Sequence, residues 1–394
     1  MKFSELTQAL NISAYPEMMD SLYEKTTKLP AFVTRETLEQ MQACYDLYGE
    51  FYEDVLCGWE DLESKPLEFS WMQTAAYLLQ QAPIEITRPL QFPAADGSPA
   101  RDLLPLFVLT ARVEWAIAEY QNRGFSYEEA VKIMADVFVY DIYACIRHTG
   151  RIGINRSYYD WTTLFVYCIL FPCGGFQFNF KKNAKSTTVL RHKESGALAI
   201  LLNGLTAHSS GQILGSHGCA DEAESFLVTV QETETEWIAH EINEKGLLQR
   251  ETVGYSKGEW EVVLAPGDCM LGIHIPRGTS ITPENTKKAI DMAFRHAATY
   301  YKEYHPKAIH CGSWLLNPDL ANVIGEESNI VRFGALFQRY PAKSDGRSVF
   351  GFVFRTNSFP KLEELAEDTS LQRKLKRLYM EGNWIHNFSG FYVP

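Results

Sequence analysis

The amino-acid sequence predicts an α+β protein, with an all-helical N-terminal domain at residues 1–172 and a mixed α/β domain at residues 173–394. Three observations predict this class. Apolar residues recur at three- and four-residue steps through most of the first part. No alternating strand pattern occurs before Gly174, whereas residues 176–180 alternate aromatic and polar side chains. A strand, a loop, a long helix and a second strand then follow at residues 264–320.

In the helical domain, apolar periodicity and cap residues set the predicted elements. Ser126 and Glu129 have the capping-box spacing and open a helix. Apolar residues cover much of its circumference, so we expect this helix at the centre of a bundle. Gly124 is a typical end signal for the helix before it, and residues 82–100 form a long connection. The predicted helices cover residues 16–26, 35–62, 69–81, 102–123, 126–148 and 156–171.

The second domain begins with strand patterns and ends with a helical extension. Thr369 suits the N-cap of a helix within residues 362–381. Residues 318–324 predict a short helix, and residues 329–337 are apolar and fit either a helix or a strand. The predicted strands cover residues 176–180, 189–192, 197–202, 226–231, 236–242, 260–265, 269–275, 308–316 and 348–354.

Composition limits the possible classes of protein. The chain has 394 residues, of which 46% are hydrophobic, and its formal net charge is −12 from 37 basic and 49 acidic residues. This charge argues against a broad surface for nucleic acid or for an anionic membrane. The N-terminus has no signal-peptide pattern, and the densest apolar run, residues 162–171, is too short to cross a bilayer.

The cysteines and histidines are scattered. The eight cysteines include no Cys-x-x-Cys pair, and the ten histidines have no spacing typical of a zinc site. We therefore expect a cytoplasmic protein with reduced thiols and without a metal cofactor.

The loop between the central strand and the long helix has the composition of an anion site. Thr282 suits the N-cap and Pro283 the first helical position. A helix N-terminus offers unpaired N–H groups and a partial positive charge, so it attracts phosphate. Gly278 lets a ligand approach the backbone, and Arg277 adds a fork of donors. The alternative is a purely structural turn, which also needs a glycine and a cap.

Four short motifs carry a family resemblance. Ile-Pro-Arg-Gly at residues 275–278 and Ser-Trp-Leu-Leu at residues 313–316 flank the long helix. Gly-Phe-Gln-Phe at residues 175–178 marks the domain junction, and Thr-Ser-Leu-Gln occupies residues 369–372. Together they resemble a family of bacterial two-domain acyltransferase-like proteins. That family joins a helical N-acyltransferase domain to a GNAT-like C-terminal domain, and the resemblance covers most of the chain from about residue 35.

The resemblance implies a GNAT-like domain with a central twisted sheet. Acyl-CoA would lie between two splayed strands, here residues 269–275 and 308–316. A backbone N–H on the first strand would polarise the thioester carbonyl, and the loop would hold the diphosphate. The implied activity moves an acyl group from acyl-CoA or acetyl-CoA to the amine of a small molecule. The implied cofactor-binding residues are Ile275, Arg277, Gly278, Thr279 and Ser280.

Two residues are candidates for catalysis. His274 is the titratable side chain inside the first strand and the candidate general base, with a structural histidine as the alternative. Ser313 lies on the partner strand and is the second catalytic candidate. Strand alternation puts Cys311 on the same face as Ser313 and His310 on the opposite face. We interpret Cys311 as a buried small residue, since no charge partner is near it in the sequence.

Two further residues are candidates for binding the substrate. Gln177 points opposite to the aromatic residues of its strand and would face the acceptor, with a buried hydrogen bond as the alternative. Trp314 follows the partner strand and is the second candidate.

Other classes of protein share parts of the pattern. A cupin barrel would need a metal-binding histidine where Ile281 stands, and its His-x-His cluster is absent, so we set a cupin aside. A non-catalytic protein that keeps a GNAT-like shell and binds a ligand or a partner stays open. Residues 277–282 lack the second and third elements of the usual GNAT phosphate loop. Many GNAT enzymes also hold a glutamate near the first strand, where this chain has Asp268 at its start.

Overall fold

The computed structural model describes residues 1–276, 278–356 and 359–394, apart from the side chains of Arg156 and Ser157. The chain forms two compact units, Met1–Phe171 and Pro172–Pro394. The first unit is helical and the second is built on a mixed sheet, so the predicted α+β class is confirmed.

The helical unit packs around one buried helix. Its helices are α1 (Phe3–Ala9), α2 (Met18–Thr26), α3 (Arg35–Tyr45), α4 (Tyr52–Glu63), α5 (Pro66–Gln81), α6 (Ile84–Thr87), α7 (Pro99–Thr110), α8 (Val113–Asn122), α9 (Tyr127–Thr149) and α10 (Arg156–Val166). Every residue of α7 from Leu103 to Thr110 is buried, and α7 packs against α4, α5 and α10. The expectation that the helix opened by Ser126 is central was wrong, because α9 leaves Tyr140 and Tyr143 exposed.

Several predicted helix boundaries in this unit change. The predicted helix at residues 35–62 is two helices, because Asp46 takes a left-handed conformation (φ 47°) after α3. This break lets Leu47 and Tyr48 become fully buried, with the Tyr48 hydroxyl 3.1 Å from the Thr110 hydroxyl. The capping box at Ser126 and Glu129 is confirmed. The predicted helix at residues 102–123 is likewise two helices, α7 and α8.

The second unit is organised around a six-stranded sheet. Its strands, in spatial order, are β1 (Leu170–Cys173), β2 (Phe176–Lys182), β11 (Cys269–His274), β12 (Ile309–Ser313), β14 (Phe388–Tyr392) and β13 (Gln338–Pro341). The central pair, β11 and β12, is parallel, and both of their outer neighbours are antiparallel to them. The helix α11 (Pro283–Tyr300) connects this central pair.

Smaller sheets and helices complete the unit. The remaining strands are β3 (Thr187–His192), β4 (Leu198–Leu202), β5 (Leu205–His208), β6 (Ser225–Val228), β7 (Val230–Glu232), β8 (Glu236–Ile242), β9 (Leu248–Ser256) and β10 (Trp260–Leu264). They form three sheets, with the orders β10-β3-β4, β5-β6 and β7-β8-β9. The remaining helices are α12 (Leu320–Ile324), α13 (Asn329–Gly334) and α14 (Ser370–Met380). The predicted N-cap at Thr369 is confirmed, since its hydroxyl accepts the N–H of Gln372.

Three strand and helix predictions in this unit were wrong. Residues 170–173 form a strand and not the end of a helix. Residues 350–354 form a π-helix in place of a strand, and Phe350 is buried among apolar side chains there. The partner strand ends at Ser313, and a 3-10 turn, Trp314–Leu316, follows it.

The two faces of the six-stranded sheet differ in chemistry. Along β2, Phe176, Phe178 and Phe180 are buried, while the side chains between them are polar and half-buried. On the phenylalanine face, Phe180 stacks on Tyr304, which follows the end of α11, with ring centroids 4.1 Å apart. The opposite face, which we call the polar face, carries the candidate site.

Candidate active site

The central strands β11 and β12 separate along their length. The pairing ladder that joins them consists of Leu271 with Ile309 and Gly272 with His310. Beyond this point β11 continues to His274 with β2 as its neighbour, and β12 continues to Ser313 with β14 as its neighbour. The geometry therefore contains an opening between the carboxyl ends of the two central strands.

The amino ends of the same strands are held together. The N–H of Lys307 donates to the carbonyl of Cys269 at 2.9 Å, and the Lys307 ammonium lies 2.9 Å from the Asp268 carboxylate. Asp268 also accepts the N–H of Ala265 at 2.7 Å. This carboxylate is therefore a structural clamp at the closed end, and not a base at the opening.

His274 lies at the opening on the polar face. Its Nε2 is 2.8 Å from Oδ1 of Asn179, which lies on β2. A carbonyl oxygen can only accept, so Nε2 donates and the imidazole lone pair resides on Nδ1. Burial, and the nearby Lys181 ammonium, lower the pKa of His274 to about 4. The imidazole is therefore neutral at pH 7, which is the form required of a base.

A second hydrogen-bonded group adjoins the first. The Lys181 ammonium lies 3.1 Å from Nδ1 of His310, and Nε2 of His310 lies 3.4 Å from the Tyr340 hydroxyl. Burial, and then the charge of Lys181, lower the pKa of His310 to about 3. Burial also lowers the pKa of Lys181 and raises the pKa of Tyr340 to about 12. We call Asn179, Lys181, His274, His310 and Tyr340 the polar cluster.

Register places the polar cluster on one face. Asn179 pairs with Gly272 across β2 and β11, and Gly272 pairs with His310 across β11 and β12. Directly paired residues point to the same side of a sheet. A Cβ at Gly272 would overlap Oδ1 of Asn179 and lie 3.1 Å from the Lys181 side chain. Glycine is therefore needed at residue 272 for these side chains to cross β11.

The backbone of β12 is exposed at Gly312, and we call this glycine the floor of the opening. This glycine is exposed although it lies in an interior strand of the sheet. A Cβ there would meet only His310 at 3.5 Å and Ser389 at 3.7 Å within 4 Å. An exposed backbone in the middle of a sheet is a surface on which a ligand can lie.

The predicted anion loop has the expected helix start. The Thr282 hydroxyl accepts the N–H of Asn285 at 3.2 Å, and Pro283 is the first helical residue, which confirms the predicted cap. Gly278 has φ 86°, a conformation that favours glycine. Arg277 lies outside the described residues.

The Thr279 side chain and the Ser280 backbone carbonyl are used within the fold. The Thr279 hydroxyl donates to the carbonyl of Gly175 at 2.8 Å, and the Ser280 carbonyl accepts from the Asn285 amide at 2.7 Å. A ligand on this loop would therefore meet backbone N–H groups and the exposed Ser280 more than the Thr279 hydroxyl.

The structure brings some predicted residues together and leaves others apart. Gln177 pairs with His274 across β2 and β11, so both lie on the polar face. The Ser313 hydroxyl instead accepts the N–H of Leu315 at 3.1 Å and caps the 3-10 turn. Ser313 lies on the opposite face from His310, together with Cys311, as alternation predicts. Trp314 is 7% exposed and packs in an apolar core.

Cys311 is buried and inert. Burial raises the pKa of its thiol to about 12, so it carries no thiolate at neutral pH. The interpretation as a small core residue agrees with its exposure of 2%.

Asn179, Lys181 and Tyr340 were not among the predicted site residues. The alternation that singled out Gln177 continues through Asn179 to Lys181, so the sequence contained a signal for these two. Tyr340 lies on the short edge strand β13, and its place beside His310 depends on long-range pairing through β14.

A concavity of about 320 Å³ in the helical unit lacks comparable chemistry. Its walls include Phe32, Gln73 and Tyr77. The Gln73 amide is already bonded to the backbone of Phe32 and Val33. This concavity therefore presents a mainly apolar wall without a titratable pair.

Metal-ion clusters and membrane-spanning helices do not occur in the part of the chain that the structure describes. Within residues 1–276, 278–356 and 359–394, no group of three His, Cys, Asp or Glu side chains is arranged to hold a metal ion. Over the same part of the chain, no helix has the length and apolar character needed to cross a membrane.

A helical unit joined to a mixed sheet with an opening between its two central strands defines a two-domain GNAT-like protein. The sequence matches the family described as "GNAT-like C-terminal domain" over residues 170–392, which is more than half of the chain. The protein belongs to this family, and the predicted family resemblance is confirmed. A search of the curated proteins finds no match.

Solved structures share the fold over the full length. One is an acyltransferase in complex with decanoyl-CoA and teicoplanin, with 16% identity and a TM-score of 0.65. An acyltransferase in complex with decanoyl-CoA has the same identity and TM-score. A mutant acyltransferase in complex with octanoyl-CoA has 16% identity and a TM-score of 0.63. Each comparison covers 100% of both chains.

Proposed function

We propose that this protein is an acyl-CoA-dependent N-acyltransferase, which transfers an acyl group from a CoA thioester to the amine of a small molecule. The observation that carries the proposal is the opening between β11 and β12 with the polar cluster on one of its faces. The proposal divides the chain into a helical domain, residues 1–172, and a GNAT-like domain, residues 173–394, and places the protein in the bacterial cytoplasm.

The thioester would lie between the two strands. The N–H of Leu271 is directed at β12, since it donates to the carbonyl of Ala308 at 2.9 Å. Successive backbone N–H groups point to opposite sides along a strand, so the N–H groups of Ile273 and Ile275 point to the same side as that of Leu271. The Ile275 N–H, beyond the end of the ladder, would donate to the thioester carbonyl and stabilise the negative charge that develops there.

The diphosphate would bind at the start of α11. The backbone N–H groups of Gly278 and Ser280 and the positive end of the helix would hold its oxygens. Arg277 is proposed to contribute a bidentate contact because its guanidinium matches phosphate geometry. Thr279 would support the loop through its bond to Gly175.

The chemistry would be direct attack. The amine nitrogen bonds to the carbonyl carbon, His274 accepts the amine proton at Nδ1, and the C–S bond breaks to release CoA as its thiolate. Asn179 holds the imidazole through Nε2 and so fixes which nitrogen faces the amine. Gln177, on the same face, would contact the acceptor. We assign no step to Ser313, whose hydroxyl caps the following turn, or to Trp314.

The likeness to acyltransferases bound to octanoyl-CoA and decanoyl-CoA supports acyl-CoA donors of medium chain length as candidates to test. Teicoplanin, a small molecule in one of those complexes, supports a small-molecule acceptor. No metal is required, because attack of a neutral amine on a thioester needs only a base and a carbonyl donor.

Thermal unfolding with added ligands tests the proposal. Acetyl-CoA, octanoyl-CoA and decanoyl-CoA are compared with buffer, and a ligand at 100-fold excess over its Kd adds about 2.7 kcal/mol to the folded state. That corresponds to a rise of roughly 5–10 °C for a domain of this size. Arg277→Ala should remove most of this rise while changing the midpoint without ligand little. An unchanged midpoint with all three donors would refute the proposal.

A non-catalytic binding protein is the alternative. It is favoured by a phosphate loop that lacks two of its usual elements. Binding of acyl-CoA without release of free CoA thiol in the presence of an amine panel would support this alternative over the enzyme.

A further inference from the structure

Lys181 is a cation at the point where the two central strands separate. From the geometry we propose that its ammonium binds a carboxylate of the substrate, so that one partner in the reaction is an acid. That carboxylate is carried either by the acyl group of the CoA thioester or by the amine that accepts the acyl group. The inference rests on the proposed function and names the class of substrate for the same site.

The Lys181 side chain reaches the opening by crossing β11. Lys181 pairs with Met270, and a Cβ built on Gly272 would lie 3.1 Å from the Lys181 Cδ. The aliphatic stem therefore runs over Gly272, toward the carboxyl end of the strand. Its Nζ lies 3.1 Å from Nδ1 of His310, which pairs with Gly272 as the last pair of the ladder. The ammonium is therefore held where the paired part of β11 and β12 ends.

The described part of the chain supplies no counter-charge for Lys181. Every aspartate and glutamate lies in that part, and none forms an ion pair with this lysine. Its hydrogen-bond partner, His310, is a neutral imidazole at pH 7, because its pKa is lowered to about 3. Burial also lowers the pKa of Lys181, whereas a carboxylate beside it would raise that pKa.

An anion from outside the chain would complete this arrangement. A half-buried cation costs free energy unless an opposite charge accompanies it. An ammonium has three hydrogens, and the contact with His310 uses one of them. The remaining hydrogens match the oxygens of a carboxylate, and hydrogen bonds between charged groups are the stronger kind.

The proposed pose of the donor leads its acyl group to Lys181. The acyl group lies on the far side of the thioester from the diphosphate, so it points from Ile275 toward Gly272. These residues are three positions apart, about 10 Å along an extended strand, which a short acyl chain and the lysine together span. The amine meets His274 on the same face, so an acid group on the acceptor approaches Lys181 from there.

The sheet offers an uncharged group little beyond Lys181. Met270 pairs with Lys181 and Phe391 pairs with His310, and both apolar side chains belong to a closed core. An alkyl chain that reached this point would remove water from the ammonium without replacing it. A carboxylate in the same place replaces that water with a charge-assisted hydrogen bond.

Matched substrate pairs test the inference and identify the source of the carboxylate. In the donor arm, succinyl-CoA is compared with 4-methylpentanoyl-CoA, which has a similar shape without the charge, and tyramine is the acceptor. In the acceptor arm, tyrosine is compared with tyramine, which lacks only the carboxylate, and acetyl-CoA is the donor. Formation of the N-acyl product is followed by mass spectrometry. We expect kcat/KM to favour the acid by about 10-fold to 100-fold in one of the two arms.

The matched variants are Lys181→Gln and Lys182→Gln. Glutamine keeps a donor for His310 and removes the charge, and Lys182 is the next residue of β2, exposed and on the opposite face. Lys181→Gln should abolish the preference for the acid and leave kcat/KM for the uncharged partner of the pair within about 3-fold. Lys182→Gln should retain the preference, and so should Lys181→Arg, which keeps the charge.

Two outcomes would overturn the inference. One is equal use of the acid and its uncharged counterpart in both arms, and the other is a preference that survives in Lys181→Gln. If the parent binds no CoA ester, the proposed function fails, and a titration with succinate alone decides the inference. NMR signals of the His310 ring, assigned by their loss in His310→Gln, should then shift in the parent and stay in place in Lys181→Gln. Signals that do not move in the parent would show that the ammonium binds no carboxylate.

Discussion

Nε2 of His274 lies 2.8 Å from Oδ1 of Asn179, and the Asn179 side chain reaches it over a glycine of the same strand as His274, Gly272. The contact ties the residue at the end of β11 to the neighbouring antiparallel strand, at the point where β12 has already diverged. The imidazole is therefore fixed by the side of the opening that stays paired. The side that opens is left for the substrate.

Asn179→Asp is predicted to move the titration of His274. A carboxylate in place of the amide favours the imidazolium and should raise the pKa of His274 by about 1–3 units from its low value. The acidic limb of kcat/KM for decanoyl-CoA should move up by the same interval, because protonated His274 cannot accept the amine proton. NMR titration of the His274 ring gives the same pKa independently of turnover. A limb that stays in place while the ring pKa moves would exclude His274 as the base.

Gly272→Ala is predicted to disrupt the hydrogen bond between His274 and Asn179. The added methyl would overlap Oδ1 of Asn179 and press on Lys181 at 3.1 Å, so Asn179 must turn away from His274. We expect kcat to fall about 10-fold or more, with a loss of stability of roughly 1–3 kcal/mol from overpacking and the lost hydrogen bond. Urea unfolding and single-turnover acyl transfer measure the two effects. Parent-like kcat would show that the bond between Asn179 and His274 does not matter for turnover.

Gly312→Leu is predicted to fill the opening. The side chain would project from the exposed floor of the sheet into the space where the acyl-CoA thioester is proposed to lie. Binding of octanoyl-CoA should weaken by at least about 10-fold, while unfolding changes by less than about 1 kcal/mol, since the position is exposed. Gly312→Ala is the matched control, because its Cβ would make only ordinary contacts at 3.5 and 3.7 Å. Equal binding by the leucine and alanine variants would place the acyl group elsewhere.

The sequence predicted the parts of the fold that local signals determine. The N-caps at Thr282 and Thr369, the capping box at Ser126 and the period-two pattern of β2 all occur where predicted. Each is set by residues within four positions of one another, so a single sequence contains the necessary information.

Local signals failed where tertiary packing decided. The chain breaks at Asp46 because burial of Leu47 and Tyr48 outweighs continuation of the helix. The strand β9 was not predicted, because its alternate residues are mostly exposed and polar and it is held by pairing with β8. In the site, Ser313 was selected for its chemistry, but the direction of its hydroxyl is set by the turn that follows. Tyr340 reaches His310 only because β13 joins the sheet through β14.

Asp141 is a buried carboxyl in the helical unit, and it is predicted to make stability depend on pH. It is 1% exposed in α9, and burial raises the pKa of its carboxyl to about 7. The hydrogen bonds agree with a protonated acid. The Thr162 hydroxyl contacts both the Asp141 carboxyl and the carbonyl of Tyr158. That hydroxyl has one hydrogen and the Tyr158 carbonyl can only accept, so a protonated carboxyl completes both bonds.

A raised pKa in the folded state makes stability fall as pH rises. Below the pKa of the unfolded chain, which is 3.8, Asp141 is protonated in both the folded and the unfolded chain, so it adds no pH dependence to the free energy of unfolding. Between that value and about 7 the unfolded chain releases its proton while the folded chain retains it, so folding becomes progressively less favourable. Asp141→Asn should remove this dependence, because the amide can donate to Thr162 as the protonated acid does. The variant should therefore gain on the order of 2 kcal/mol relative to the parent between pH 5 and pH 8. Urea unfolding across this range measures the gain, with Asp136→Asn, an exposed position on the same helix, as the control. A difference between Asp141→Asn and the parent that is constant with pH would show that Asp141 is ionised in the folded protein, because only a proton held by the folded state and lost by the unfolded one can make that difference grow.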